Sequence, residues 1–244
     1  MAARTTATTE AIAWRHAQDA LACDALEPWE HGSVLRTPSA PDYWDVNAVR
    51  VESAGLSAAQ LEAAADTLLA DCSHRKLEVE DEATGEAARA SFAAKGWTAD
   101  RHAMMRRVGG ARPHDDVEEV PLAATRELDI EWVSDYDNIE SVLRFAEQRE
   151  PILERRGMRA FAIPDVGFTL LAVGEGAVEI DALYVTPTAR GQGVGTRLLE
   201  TALSAGGRDV AWVVADDEGR ARALYERLGF ETVWRPYSFL RRPS

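Results

Sequence analysis

The chain has 244 residues, with 41 acidic against 27 basic side chains, a formal charge of −14, two cysteines and five histidines. So acidic a chain is repelled by nucleic-acid phosphates and by anionic lipid, which argues against both partners and leaves cationic amines as acceptable ligands. Cys23 and Cys72 make no disulfide framework and lack metal-ligand spacing, no apolar run nears the roughly 20 residues of a membrane span, and Met1–Glu10 holds no signal-peptide core, so the expectation is a soluble cytoplasmic protein with no metal centre.

Ile12, Trp14, Ala17, Ala20, Leu21 and Ala25 recur near helical spacing, predicting one helix and a turn over residues 10–28. A short strand follows at His31–Thr37, then a loop at Pro38–Pro41 and a second alternating run at Asp45–Val51. Ser57 is placed to cap an alanine-rich helix, Leu77–Val79 reads as a strand, and Ala87–Lys95 as a helix stopped by Gly96. Met104–Val108 closes this half as a strand. The polar, proline-containing run Ala111–Asp116 reads as a linker.

Beyond it, Val117–Ala124 reads as a strand in spite of Pro121, and Ile130–Val133 as a short extended piece. Ser134 and Asp135 are placed to cap a helix bearing Ile139, Val142, Leu143 and Phe145, which Pro151 kinks or ends. Glu147, Arg149 and Glu150 on that helix either face a substrate or form a solvated surface. Three strands follow, Arg159–Ile163, Phe168–Val173 and Val178–Val185, the last two joined by a hairpin turn at Gly174–Gly176. Pro187 halts the third. The chain then passes Gly191, Gly193 and Gly195 and resumes as a helix with Val194, Leu198, Leu199, Ala202 and Leu203 on one side. Gly206 and Gly207 release it, Val210–Val214 is a buried strand, and Ala221, Leu224, Tyr225 and Leu228 share one face of a last helix ended by Gly229.

A strand, a glycine loop and a helix N-terminus in that order make a cradle for phosphate. Glycines let successive backbone N–H groups turn toward one point, and the unpaired amides of the first helical turn add partial positive charge. Two versions of the cradle fit badly: Thr196-Arg197 stands where a P-loop needs Lys-Ser/Thr, and Thr196 where a dinucleotide fingerprint needs its third glycine. Arg190-Gly191-Gln192-Gly193-Val194-Gly195 instead resembles the Arg/Gln-x-x-Gly-x-Gly/Ala pyrophosphate motif of the GNAT acyltransferases. The segment from Ala221 through Leu224, Tyr225 and Gly229 to Phe230 resembles their Ala-x-x-Leu-Tyr-x-x-x-Gly-Phe signature, again with a strand between the two motifs. The resemblance implies an α/β fold with a mixed, mostly antiparallel sheet flanked by helices, and acetyl-coenzyme A as cosubstrate. It places the cofactor against the backbone of Leu183, Tyr184 and Val185 and against Arg190, Gly191, Gln192, Gly193, Val194, Gly195 and Thr196, with Glu218 and Arg222 beside it. Glu218 is a departure, because the family often has Asn there.

The two halves echo each other. Phe92–Trp97 aligns with Tyr225–Phe230, Leu77–Val79 with Val210–Trp212 and, after a one-residue slip, Asp45–Val51 with Glu179–Val185. Where the second half has its glycine loop, the first has Ser57-Ala58-Ala59-Gln60-Leu61-Glu62, without glycine and with a carboxylate that would repel a pyrophosphate. The expected organisation is therefore two tandem GNAT-like lobes: residues 1–110 a degenerate lobe, 111–116 a linker and 117–244 the catalytic domain. For the first lobe three roles fit, namely a cover for the acceptor site, a homodimer contact or a structural remnant.

The chemistry follows from what amide formation requires. An alkyl amine with a pKa of about 10.4 must lose a proton before it attacks a thioester. The resemblance makes Glu179 the first candidate base, since Glu179–Val185 matches a strand on which histone acetyltransferases of the family carry a catalytic glutamate. Strand alternation puts Asp181 and Leu183 on the same face, so Asp181 is the second candidate. Either acid could equally balance a neighbouring arginine. Tyr225 stands where the family's general acid protonates the departing thiolate, while Phe92 at the related position has no hydroxyl. The acceptor implied is an amine of a small molecule or peptide, attacked directly, because neither cysteine lies in the active half. A non-catalytic acyl-coenzyme A sensor is the competing reading, and a nicotinamide or ATP enzyme a third. Trp132, Trp212, Trp234 and Tyr237 either line an aromatic pocket or belong to the core.

Overall fold

The computed structural model describes residues 5–134 and 139–243; Asp135, expected in a helix cap, lies outside the described residues. In chain order the elements are α1 (Thr6–Ala22), β1 (Ala25–Trp29), β2 (Gly32–Arg36), β3 (Ala48–Val51), α2 (Ala58–Leu68), β4 (Arg75–Val79), α3 (Glu82–Ala94) and β5 (Thr98–Val108). There follow β6 (Glu118–Val120), α4 (Arg126–Ser134), α5 (Ile139–Arg155), β7 (Arg159–Ile163), β8 (Gly167–Val173) and β9 (Ala177–Val185). The chain closes with α6 (Val194–Gly206), β10 (Val210–Asp216), α7 (Arg220–Arg227), β11 (Glu231–Trp234) and β12 (Tyr237–Arg241). Among the described residues no helix is long and apolar enough to cross a membrane.

Two compact units interleave along the chain: Met1–Met104 with Ala215–Arg222 and Val233–Ser244, and Met105–Val214 with Ala223–Thr232. The C-terminal strand thus groups with the first unit, not with the second as a division at residues 111–116 would have it. The physical reason is pairing: β12 lies between β4 and the Thr98–Arg101 part of β5, antiparallel to both.

In the first unit β1, β2 and β3 form an antiparallel meander, and α2 carries the chain to β4, which lies parallel to β3. A parallel neighbour needs such a crossover. Leu61, Leu69, Leu77, Phe92, Trp97 and Phe239 fill the core. Several expectations change here. The first helix starts earlier, at a Thr5 cap that accepts from the Thr8 N–H, and ends at Ala22; residues 25–29 are an edge strand, where Pro28 costs no ladder bond. Trp44–Val46 forms a 3₁₀ turn, leaving only Ala48–Val51 extended. His16, Glu52 and Glu80 bring their ligand atoms within 4.8 Å of one another. Arg50 already supplies the cation there, with Nε 3.1 Å from Glu52 and 4.0 Å from Glu80 and Nη1 3.0 Å from Asp19.

The second unit repeats the plan. β6, β7, β8 and β9 are antiparallel neighbours, and α6 carries β9 to a parallel β10. Phe161, Phe168, Leu170, Leu171, Leu198 and Leu199 are buried. After Pro121 the chain turns into a 3₁₀ segment and then α4, so Ile130–Val133 is helical, not extended. A four-residue alternation is too short to specify a strand, and Glu127 and Asp129 in the first turn favour a helix N-terminus. α5 continues through Pro151 to Arg155.

The aligned helix ends match in geometry. In the first unit Trp97 N–H donates to Phe92 O at 3.1 Å past a left-handed Gly96, and in the second Phe230 N–H donates to Tyr225 O at 3.0 Å past a left-handed Gly229. Both aromatic pairs are edge to face.

Candidate active site

β9 is a β-branched, apolar strand with one irregularity. Its pairing with β8 shifts between Leu170 and Leu171, so that Leu170 faces Ala182 and Leu171 faces Ile180, leaving Asp181 as an extra residue. A bulge of this kind breaks alternation. Glu179 therefore shares a sheet face with Ala182 and Tyr184, opposite Ile180, Leu183 and Val185. The expectation that Glu179 and Leu183 share a face is overturned by that single inserted residue. Pairing with β10 runs from Val210↔Ala177 to Val213↔Ile180 and stops beside the bulge, while β9 continues to Val185.

Past β9, Pro187 opens a 3₁₀ turn, and Arg190–Gly193 form an exposed loop. Arg190 Nε donates to Val185 O at 3.0 Å, and its guanidinium lies 5.9 Å from the Tyr184 ring centroid. Gln192 Nε2 donates to Thr188 O at 3.0 Å. Gly191 and Gly193 have φ of 77° and 76°, a left-handed conformation that a Cβ disfavours. Gly193 is the N-cap of α6 and makes no side-chain cap, so no side chain of its own competes for the first-turn amides of Val194, Gly195 and Thr196. The corresponding helix of the first unit is closed: Ser57 Oγ accepts from Gln60 N–H at 3.3 Å and Gln60 Oε1 accepts from Ser57 N–H at 3.0 Å. A Cβ built on Gly195 would lie 3.6 Å from Leu183, 3.9 Å from Val185 and 3.4 Å from Leu224. The end of β9, the start of α6 and the turn of α7 next to Tyr225 thus converge on one place.

Tyr225 is buried, with 5% of its surface exposed, and rests edge to face on Phe230 at 5.9 Å. Burial pushes its phenol up to about 12. Glu218 and Arg222 both carry ion pairs. Arg89 grips Glu218 with two bonds of 2.8 and 2.9 Å and holds its carboxyl below the ordinary range. Arg222 Nη1 donates to Asp217 Oδ1 at 2.7 Å, and the same buried carboxylate lies 2.7 Å from Arg101 and 3.2 Å from Arg235.

The two candidate bases differ. Glu179 is 2% exposed, between Ala172 of β8 and Trp212 of β10. Asp181 is ion-paired twice: Arg156 Nη1 donates to Oδ2 at 2.6 Å and Arg149 Nη2 to Oδ1 at 3.3 Å. These two contacts are the arginine pairing that the balancing alternative describes for Asp181. Of the three charged residues singled out on α5, Glu147 is exposed, whereas Arg149 turns inward. It meets Asp129 at 2.6 and 2.8 Å and stacks near Trp132 and Phe145 at 5.7 and 5.8 Å. Trp212, Trp234 and Tyr237 are buried in the core. Sequence reasoning missed Arg156 and Thr169. Thr169 is a fully buried hydroxyl that donates to Ala182 O at 2.6 Å, and its only trace in the sequence is a polar residue inside an apolar strand.

Residues 158–232 match the family profile described as an acetyltransferase (GNAT) domain. Two solved structures resemble the chain over most of both lengths. A functionally unknown conserved protein from Staphylococcus epidermidis superposes with a TM-score of 0.68 at 15% identity, covering 89% of this chain and 93% of its own. A GCN5-related N-acetyltransferase from Kribbella flavida superposes with a TM-score of 0.63 at 18% identity, covering 99% and 97%. At such identities the likeness speaks to the fold. No match to a curated protein was found.

Proposed function

We propose that this chain, an acyltransferase of the GNAT family by the domain it carries, transfers acetyl from acetyl-coenzyme A to an amine of a small molecule or peptide. The observation that carries the reading is the glycine-capped N-terminus of α6. Left-handed turns at Gly191 and Gly193 and a helix start with no side-chain cap suit the cofactor's pyrophosphate, while the related helix of the first unit closes the same position with Ser57 and Gln60. That contrast also supports two tandem lobes, of which the second is active. Acetyl-coenzyme A supplies the activated carbonyl and the thiolate leaving group.

The residues of this chain then have separable tasks. Amides of the Arg190–Thr196 segment bind the diphosphate. Backbone groups of Leu183–Val185, past the point where β9 leaves β10, hold the pantetheine arm and steady the oxyanion that develops at the thioester carbonyl. Tyr225, a buried phenol that is protonated at neutral pH, donates its proton to the departing sulfur. Glu179 takes the amine proton through water. The deep burial of Glu179 and the pairing of Asp181 favour, as a second reading, an acyl-coenzyme A sensor that turns over no acceptor. Titration calorimetry with acetyl-coenzyme A tests both readings, and absence of binding removes both. Release of free coenzyme A on addition of amines, aminoglycosides, polyamines or peptides, lost in Tyr225→Phe, separates enzyme from sensor.

A further inference from the structure

Asp181 is the inserted residue of the β9 bulge, and its carboxylate is held by Arg149 and Arg156 of the segment around the end of α5. Arg149 is itself fixed by Asp129 of α4 and by two aromatic rings, so the grip on Asp181 comes from a stiff support. On the β8 side, the Thr169 hydroxyl takes up the carbonyl of Ala182, the residue immediately after the bulge. A bulge displaces ladder partners, and the Thr169 hydroxyl donates to this carbonyl beside the displaced register, so the bulged register gains that hydrogen bond. The ladder to β10 stops at Ile180, one residue before Asp181. If β9 ran regularly, Leu183 and Val185 would exchange faces with Ala182 and Tyr184 and lose their approach to Gly195 at the start of α6.

We propose that Asp181 and Thr169 are positioning residues that hold the β9 bulge from both sides, and so aim the Leu183–Val185 backbone at the pantetheine arm of the bound cofactor. The inference rests on the acetyl-coenzyme A reading, but it assigns Asp181 a task other than proton transfer. It separates two parts of the ligand: the bulge orients the strand that meets the pantetheine arm, whereas the diphosphate is held by the α6 N-terminus.

The test compares two ligands on the full chain by calorimetry: acetyl-coenzyme A, and 3′-phosphoadenosine 5′-diphosphate, which keeps the diphosphate and lacks the arm. Asp181→Asn and Thr169→Val are each expected to weaken acetyl-coenzyme A by about tenfold, the scale of one lost hydrogen bond, and to leave the nucleotide within about twofold of wild type. Thr169→Ser, which restores the hydroxyl, is expected to recover most of the loss. Should Asp181→Asn fail to fold, the Thr169→Val and Thr169→Ser pair carries the same comparison. Equal weakening of both ligands would mean a general loss of stability and would overturn the proposal, as would unchanged binding of acetyl-coenzyme A. If wild type binds neither ligand, the acetyl-coenzyme A reading itself fails, an outcome distinct from the other two.

Discussion

Replacing Gly193 and Gly195 by alanine is expected to have effects of opposite sign, although the two stand one residue apart in the same loop-to-helix junction. Gly193 has φ of 76°, where an L side chain costs about 1–2 kcal/mol; the stiffer unfolded chain offsets roughly 0.5 kcal/mol of that, leaving a net loss near 1 kcal/mol. In a chain of this size that is a drop in Tm of about 2–4 °C. If the turn relaxes to escape the strain, the first-turn amides of α6 shift relative to the glycine loop, and on the proposed reading acetyl-coenzyme A binding falls by about tenfold or more. Gly195 instead lies inside the first turn of α6, and its Cβ would sit at ordinary contact distance, 3.4 Å from Leu224 and 3.6 Å from Leu183. Alanine there gains up to about 1 kcal/mol of helix propensity, so Tm should hold or rise by roughly 1–3 °C with binding within about twofold of wild type. Thermal denaturation and titration calorimetry on both variants read the two quantities directly. If Gly193→Ala binds as tightly as Gly195→Ala, the glycine loop and the start of α6 are not the phosphate site and the reasoning fails.

Three further outcomes follow from the geometry. If Tyr225 is the proposed general acid, Tyr225→Phe is expected to lower kcat by about 100-fold with little change in the KM for acetyl-coenzyme A, measured by thiol release, because the proposed role is on the leaving group and not in binding. The same tyrosine sets an alkaline limit. Its folded pKa of about 12 exceeds the unfolded value near 10, so the folded state holds the proton more tightly, and this contribution is complete below pH 10 and lost as pH rises toward 12. Wild type should therefore lose about 2–3 kcal/mol relative to Tyr225→Phe across that window in urea titrations, and parallel curves would refute the assignment. Arg149→Met strips both Asp129 and Asp181 of a buried partner and is expected to cost about 3–5 kcal/mol in chemical denaturation; a cost below 1 kcal/mol would mean that the pairing is not what holds α4 and α5 in place.

How much of this could be read from the chain alone varies with the range of the interaction. The glycine loop, the start of α6, the capped α2 and the matched helix ends at Gly96 and Gly229 are local: backbone freedom, a cap side chain three residues from its amide and a 3.6-residue period all operate within a turn or two. Local alternation failed where it was short or interrupted. Ile130–Val133 joined a helix because its neighbours did, and Asp181 broke the face assignment of Glu179 and Leu183 because a bulge is a relation between two strands, visible only once β8 is in place.

Residues at long range were decided by the fold. Trp234 and Tyr237 carry no mark in the sequence that sends them to the first unit, yet Tyr237–Arg241 found open ladder partners in β4 and β5 and were drawn there. Asp181 looked like a base by position and became the anchor of a salt-bridge clamp, since Arg149 and Arg156 reach it across more than twenty residues of chain. The sequence by itself determined the glycine loop, the capped start of α2 and the glycine-ended helices, because those depend on neighbours along the backbone. Which carboxylates are spent on arginines, and which strand closes which sheet, only the tertiary structure decided, because charge pairing and ladder completion are settled by whatever surface the rest of the chain brings within a few ångströms.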